Sequence, residues 1–225
     1  MNGALANAAA ILLGGAAGLL LRGGISEALR KSVMQSMGLA VVVIALRMAF
    51  QSQNSMALVV SLAVGTSLGV WLDLDGKMDR FAAHITARTG NRFGDVGQGF
   101  VSASLIYCLG AMGIVGALSE GLTGDASTLF AKAMIDGVMA VIFSASMGLG
   151  VLFSAVPVLL YEGAITLGAS FLAAFFSGAM LAEMSGVGGV LVLAIGINML
   201  EVADIRIANL LPAIFVAFVI VYFGF

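Results

Sequence analysis

Charge is what this chain has least of. Ten Lys or Arg and twelve Asp or Glu are the whole complement among 225 residues, for a net charge of −2. That balance excludes the basic face nucleic acid requires, and there is no basic run along the chain. One cysteine, Cys108, excludes an internal disulfide and any cysteine-built metal cluster. The single histidine, His84, stands with no partner in view, so neither a Ser–His–Asp arrangement nor a histidine metal site can be assembled. No phosphate-cradling glycine loop with a following Lys appears, which excludes ATP-driven work by this chain alone. The expectation is a protein with no cofactor or metal that is not an enzyme. The opening residues also lack the basic segment that precedes the apolar run of a cleavable signal.

What is abundant is apolar surface. The chain is 61% hydrophobic, and its mean hydropathy is +1.12. No charge occurs from Ala4 to Leu21 or from Val96 to Ser119. A bilayer core needs about 20 apolar helical residues and leaves no water for backbone groups. The sequence therefore predicts an all-α integral membrane protein of about eight (seven to eight) transmembrane helices, a single polytopic domain over 1–225. The spans fall at about Ala4–Leu21, Val33–Phe50, Met56–Leu72, Gly97–Leu118, Leu129–Leu149, Val151–Ala174, Val187–Leu200 and Ile207–Tyr222. The fifth and sixth are the hardest to divide, because Gly148, Gly150 and Pro157 could equally mark a break in a re-entrant segment. Thirty glycines against two prolines suit helices that approach closely through small residues.

Lys and Arg in short loops set orientation. Arg22, Arg30 and Lys31 lie between spans 1 and 2, and Lys77, Arg80, Arg88 and Arg92 lie in the polar connector Asp73–Asp95. Both are cytoplasmic only if the N-terminus is outside. Internal similarity comes next. Span 2 holds GLAVVVIALRMAF and span 7 GVLVLAIGINMLEV; span 1 holds LLGGAAGLL and span 4 CLGAMGIVG. One reading is an inverted repeat of spans 1–3 against spans 4, 7 and 8, with spans 5 and 6 inserted; the other is chance likeness among apolar segments. Inverted repeats with sites at the midplane are a recurrent transporter plan.

Few polar groups remain inside, and they are the site candidates. Lys132 and Asp136 are four apart on span 5 and share a face. Asp136 lies about 10 Å along that helix, at about 1.5 Å per residue. A lone carboxylate there must pair, protonate or meet water. The alternatives are a structural ion pair with Lys132 reaching outward and a cation- or proton-coupling carboxylate. Glu162 stands mid-span in LLYEGAITLG with no base near it in sequence. Asn7 and Asn198 are read either as interhelical hydrogen-bond formers or as ligands. Asn209, with Pro212 following, places an amide beside a kinking proline that frees a backbone carbonyl. Glu120 and Asp125 flank the turn at Gly121–Gly124, where Asp125 or Ser127 caps the next helix.

On Asn7 with LLGGAAG, on GLTGD and LFAKAMID within Leu118–Gly137, on SGVGGVLVLAIGI, and on NLLPA at Asn209–Ala213, the chain resembles the YqgA- and YdfK-like family of bacterial multi-pass inner-membrane proteins of unknown function. The resemblance implies a multi-pass inner-membrane protein and no particular activity. From the residues themselves, the leading expectation is a secondary transporter or exporter of a small solute, coupled to H⁺ or Na⁺. A passive channel formed by an oligomer, or a membrane scaffold or accessory subunit, are the alternatives. The expected partners are the lipid bilayer, an unidentified small solute or ion, no nucleic acid, and further copies of the chain in a homodimer or larger homo-oligomer. Orientation is testable with His84→Cys and Thr123→Cys, each in a chain lacking Cys108. An impermeant thiol reagent added to intact cells is expected to label position 123 and spare 84; the reverse pattern contradicts the charge argument.

Overall fold

In the computed structural model the described residues are 1–23, 26–89, 96–108, 111–172 and 177–224, and no strand occurs among them. The helices are α1 (Asn2–Arg22), α2 (Glu27–Ala49), α3 (Ser55–Trp71), α4 (Leu74–Thr89), α5 (Val96–Cys108), α6 (Ala111–Thr123), α7 (Ser127–Met147), α8 (Gly150–Phe153), α9 (Ala155–Leu167), α10 (Ala169–Leu172), α11 (Gly178–Met199) and α12 (Pro212–Tyr222). All eight expected apolar segments are mainly helical among the described residues. Five stretches are each long and apolar enough to cross a membrane: α1, α2, α7, Gly150–Leu167 and α11. Two bent pairs raise the number to seven if each is one span: α3 with Leu74–Arg80, at 51°, and α5 with Met112–Thr123, at 58°. The eighth segment, Ile207–Tyr222, is a shorter apolar helix, with a 3-10 turn at Ile207–Leu210 ahead of α12.

Two units make up the chain: Met1–Val33 with Ala82–Ala174, and Met34–Phe81 with Phe175–Phe225. In the first, α1 packs most extensively on α7. Gly3 meets Leu129, Gly14 meets Gly137, and Gly18 meets Val141 and Ser144, so the two helices run parallel. At Gly14 and Gly18 an added Cβ would strike the backbone carbonyls of Gly137 and Val141. Glycine there lets two backbones touch, which replaces the hydrophobic drive that lipid cannot supply. Large apolar side chains point away instead: Leu13, Leu20, Met134 and Val138 are all exposed.

The course of α5 and α6 follows from the same contacts. Gly99 lies by Met147, Tyr107 by Phe143, Gly113 by Lys132, and Gly116 by Leu129. The pair therefore runs the length of α7 in the opposite sense. The doubtful division between spans 5 and 6 is also resolved. Gly148 ends α7 at φ 95°, ψ −152°, a region open in practice to glycine alone. From there Gly150–Leu167 returns antiparallel to α1, with Leu152 against Gly15 and Glu162 bonded to Asn7. Pro157 sits in the first turn of α9 and breaks nothing.

In the second unit α2 and α11 are antiparallel. Gly196 meets Gly38 and Val42, Gly189 meets Ala45 and Ala49, and Gly186 meets Ser52. α3 and the segment leading into α12 are also antiparallel, with Gly65 on Ala213 and Gly69 on Asn209. The polar connector carries the helix α4, beginning after Asp73, whose φ is 50°; its residues 90–95 lie outside the described ones. The expectation for Pro212 is corrected here. Pro212 occupies the first turn of α12, where its missing N–H has no helical partner to lose, so it starts a helix and frees no carbonyl.

Candidate functional site

Four of the predicted residues converge inside the first unit. Asn7 projects from α1, Lys132 and Asp136 from α7, and Glu162 from α9. Their exposures are 0%, 5%, 6% and 0%. Lys132 Nζ pairs with Asp136 Oδ2 and lies 3.4 Å from Glu162 Oε1. Asn7 Nδ2 donates to Asp136 Oδ2 at 3.0 Å and to Glu162 Oε1 at 2.8 Å. Lys132 therefore does not reach outward, as the structural reading of the pair supposed. Its ammonium is held between two carboxylates, and the base that Glu162 lacked in sequence is supplied across the bundle. α6 passes the cluster at Gly113, where a Cβ would stand 3.4 Å from Lys132 Cε and 3.7 Å from Glu162 Oε1.

One ammonium faces two carboxylates, so the cluster carries one negative charge more than its cation balances when all three are ionised. Isolated charge in such surroundings costs several kcal/mol even after relaxation. Three oxygens around it accept no hydrogen bond: Asn7 Oδ1, Glu162 Oε2 and Tyr107 Oη. Tyr107 is 1% exposed, and its phenol lies within electrostatic reach of Asp136. Among the described residues no group of three or more His, Cys, Asp or Glu is placed to hold a metal ion.

The remaining candidates lie elsewhere and brace backbone. Glu120 Oε1 accepts from Gly3 N–H at 3.0 Å and meets the Met1 amino group at 2.9 Å, anchoring the start of α1 to the end of α6. Asp125 accepts from Ser127 N–H at 2.9 Å, and that backbone donor holds its carboxyl below the usual carboxylate range. Asn198 closes the turn after α11 by donating to Ile205 C=O at 2.8 Å and accepting from Ile205 N–H at 2.9 Å. Asn209 Oδ1 accepts from Asp75 N–H at 3.1 Å, in the first turn of α4.

Two residues escaped the sequence reading. Tyr107 carries no signal, since a tyrosine in an apolar run is unremarkable. Glu183 does carry one, a carboxylate among apolar residues, but it precedes the span as drawn from Val187. It is 5% exposed and accepts from Gln53 N–H at 2.6 Å, Asn54 N–H at 3.0 Å and Ser52 Oγ at 2.6 Å, holding the turn ahead of α3.

The cluster predicts an order of stabilities. Lys132→Met leaves two facing carboxylates without a cation and is expected to cost about 3–5 kcal/mol, the range for removing one partner of a buried pair. Asp136→Asn leaves Lys132 paired with Glu162 and should cost least. The double variant Lys132→Met with Asp136→Asn should lie between them. Thermal unfolding of the purified variants measures this, and a Lys132→Met protein as stable as wild type contradicts the arrangement.

Comparison with known proteins agrees with the extent of this architecture. A family described as "Protein of unknown function (DUF554)" matches residues 2–222. The chain is 30% identical over 222 residues to the uncharacterized protein YqgA of Escherichia coli (strain K12), covering 96% of this chain and 94% of that one. It is 26% identical over 228 residues to the uncharacterized membrane protein YdfK of Bacillus subtilis (strain 168), covering 99% and 96%. No solved structure matches. A family match over nearly every residue makes this chain a member of the DUF554 family of proteins of unknown function.

Proposed function

We propose that the protein is a secondary transporter or exporter of a small solute in the bacterial inner membrane, driven by H⁺ or Na⁺. In this reading Asn7, Lys132, Asp136 and Glu162 form the site of the driving ion. The observation that carries it is the unbalanced carboxylate. A wholly buried polar cluster with one more acid than base is a costly thing to keep in a membrane protein unless it exchanges a cation. Its position adds weight, because the helix pair formed by α5 and α6 bends by 58° as it passes, and broken helices line many transporter sites.

An inverted repeat is the plan such a mechanism uses. The sequence likeness places Gly38 over Gly189 and Ala45 over Gly196. In space Gly38 meets Gly196 and Ala45 meets Gly189, the antiparallel packing of α2 on α11 that such a repeat calls for and that any antiparallel pair in one register also gives.

Reconstituted protein tests the reading. Ligands found by thermal shift would be followed into or out of liposomes under an imposed H⁺ or Na⁺ gradient. Gradient-dependent flux is expected, and the double variant Lys132→Met with Asp136→Asn should fold yet lose it. Wild-type flux in that variant, or conductance indifferent to any gradient-coupled solute, contradicts the assignment.

A further inference from the structure

We infer that the ion exchanged by this cluster is a single proton, carried by the Glu162 carboxyl and shared with the Asn7 side-chain carbonyl, and that Na⁺ does not enter. This rests on the cluster being the coupling site. The argument is one of donors and acceptors. An asparagine amide has two N–H donors, and Asn7 uses Nδ2 for both Asp136 Oδ2 and Glu162 Oε1. Lys132 directs its ammonium to the same two oxygens. The two Asn7 N–H groups and two of the three ammonium N–H groups are thus directed to Asp136 Oδ2 and Glu162 Oε1, and no donor bonds Glu162 Oε2 or Asn7 Oδ1. What remains is Glu162 Oε2 and Asn7 Oδ1, both buried and both without a partner.

Two acceptors cannot satisfy each other. A proton on Glu162 Oε2 turns one of them into a donor, and the acid and the amide can then pair through two hydrogen bonds, of which the Nδ2–Oε1 bond at 2.8 Å is already in place. The same proton cancels the surplus negative charge. Na⁺ would cancel the charge but needs a shell of several oxygens. It would also sit beside the Lys132 ammonium, and like charges repel strongly at short range in a dry interior.

The other titratable groups near Glu162 do not supply the missing donor. Asp136 on α7 is taken by Lys132 and Asn7. From α5, the Cys108 thiol is within electrostatic reach of Glu162, and the Tyr107 phenol within reach of Asp136. On α9 itself Tyr161 is the next residue along. None of the three donates to Glu162 Oε2 or Asn7 Oδ1, both of which lack any partner, and α6 passes there at Gly113, which has no side chain to donate. Release of the proton to water leaves Glu162 anionic and breaks its bond to the Asn7 carbonyl. Occupancy is thereby tied to the contact between α9 and α1.

Infrared spectroscopy of the purified protein reads the proton directly. A carboxylic-acid C=O band is expected near neutral pH, shifted in D₂O, lost when the pH is raised and absent in Glu162→Gln. Glu162→Gln should fold as wild type does, because its amide can donate to Asn7 Oδ1 as the acid does. No such band in wild type, or its persistence in Glu162→Gln, overturns the proposal. So does a rise in wild-type Tm with Na⁺ over equal K⁺, a measurement that needs no variant. A band that titrates in a protein showing no solute flux upholds the proton site and overturns the transporter reading alone.

Discussion

Much of the first unit turns on one ammonium group held between two carboxylates away from water. Lys132 reaches Asp136 one turn away on its own helix and Glu162 on another, so α7 and α9 are tied by charge. Asn7 bonds both carboxylates and brings α1 into the same knot. Removing any member leaves a buried charge or amide with nowhere to turn. In a medium without water that penalty is larger than the gain from any one apolar contact. The cluster therefore fixes which helices must be neighbours and how far along they meet.

Small residues make that meeting possible. Asn7 can touch Asp136 only because α1 and α7 lie backbone to backbone along Gly3, Gly14 and Gly18. Gly113 brings the backbone of α6 close to the cluster, beside the bend that separates α5 from α6. A bulky residue at any of these glycines would push helices apart and stretch short hydrogen bonds before it disturbed the apolar surround. Packing and chemistry are here one constraint: the helices approach closely enough to bury charge, and the buried charge holds them in register. In the second unit polar side chains do a different job. Glu183, Asn198 and Asn209 each bond backbone groups at turns.

The apolar segments were plain in the sequence because bilayer thickness imposes their length, and each expected span is mainly helical among the described residues. Asp136, Glu162 and Asn7 stood out for the same reason, as polar groups where polarity is costly. Their convergence could not be read, since it depends on α9 returning beside α1 after the reversal at Gly148, and no local pattern reports which helices become neighbours. Pro212 misled because proline at the first turn of a helix and proline inside one look alike until the start of the helix is known. Asn198 and Asn209 resembled ligands for a similar reason: an amide that closes a turn and one that binds an ion have the same composition around them. The α4 helix was hidden by its charges, which mark a polar connector and not a span.

The central claim is geometric, and an experimental density map of the purified protein in lipid tests it most directly. The account predicts the Asn7 side chain within hydrogen-bond reach of both Asp136 and Glu162, with the Lys132 ammonium against both carboxylates. A map with Lys132 extended to the membrane surface, or with Glu162 turned away from Asn7, would contradict it.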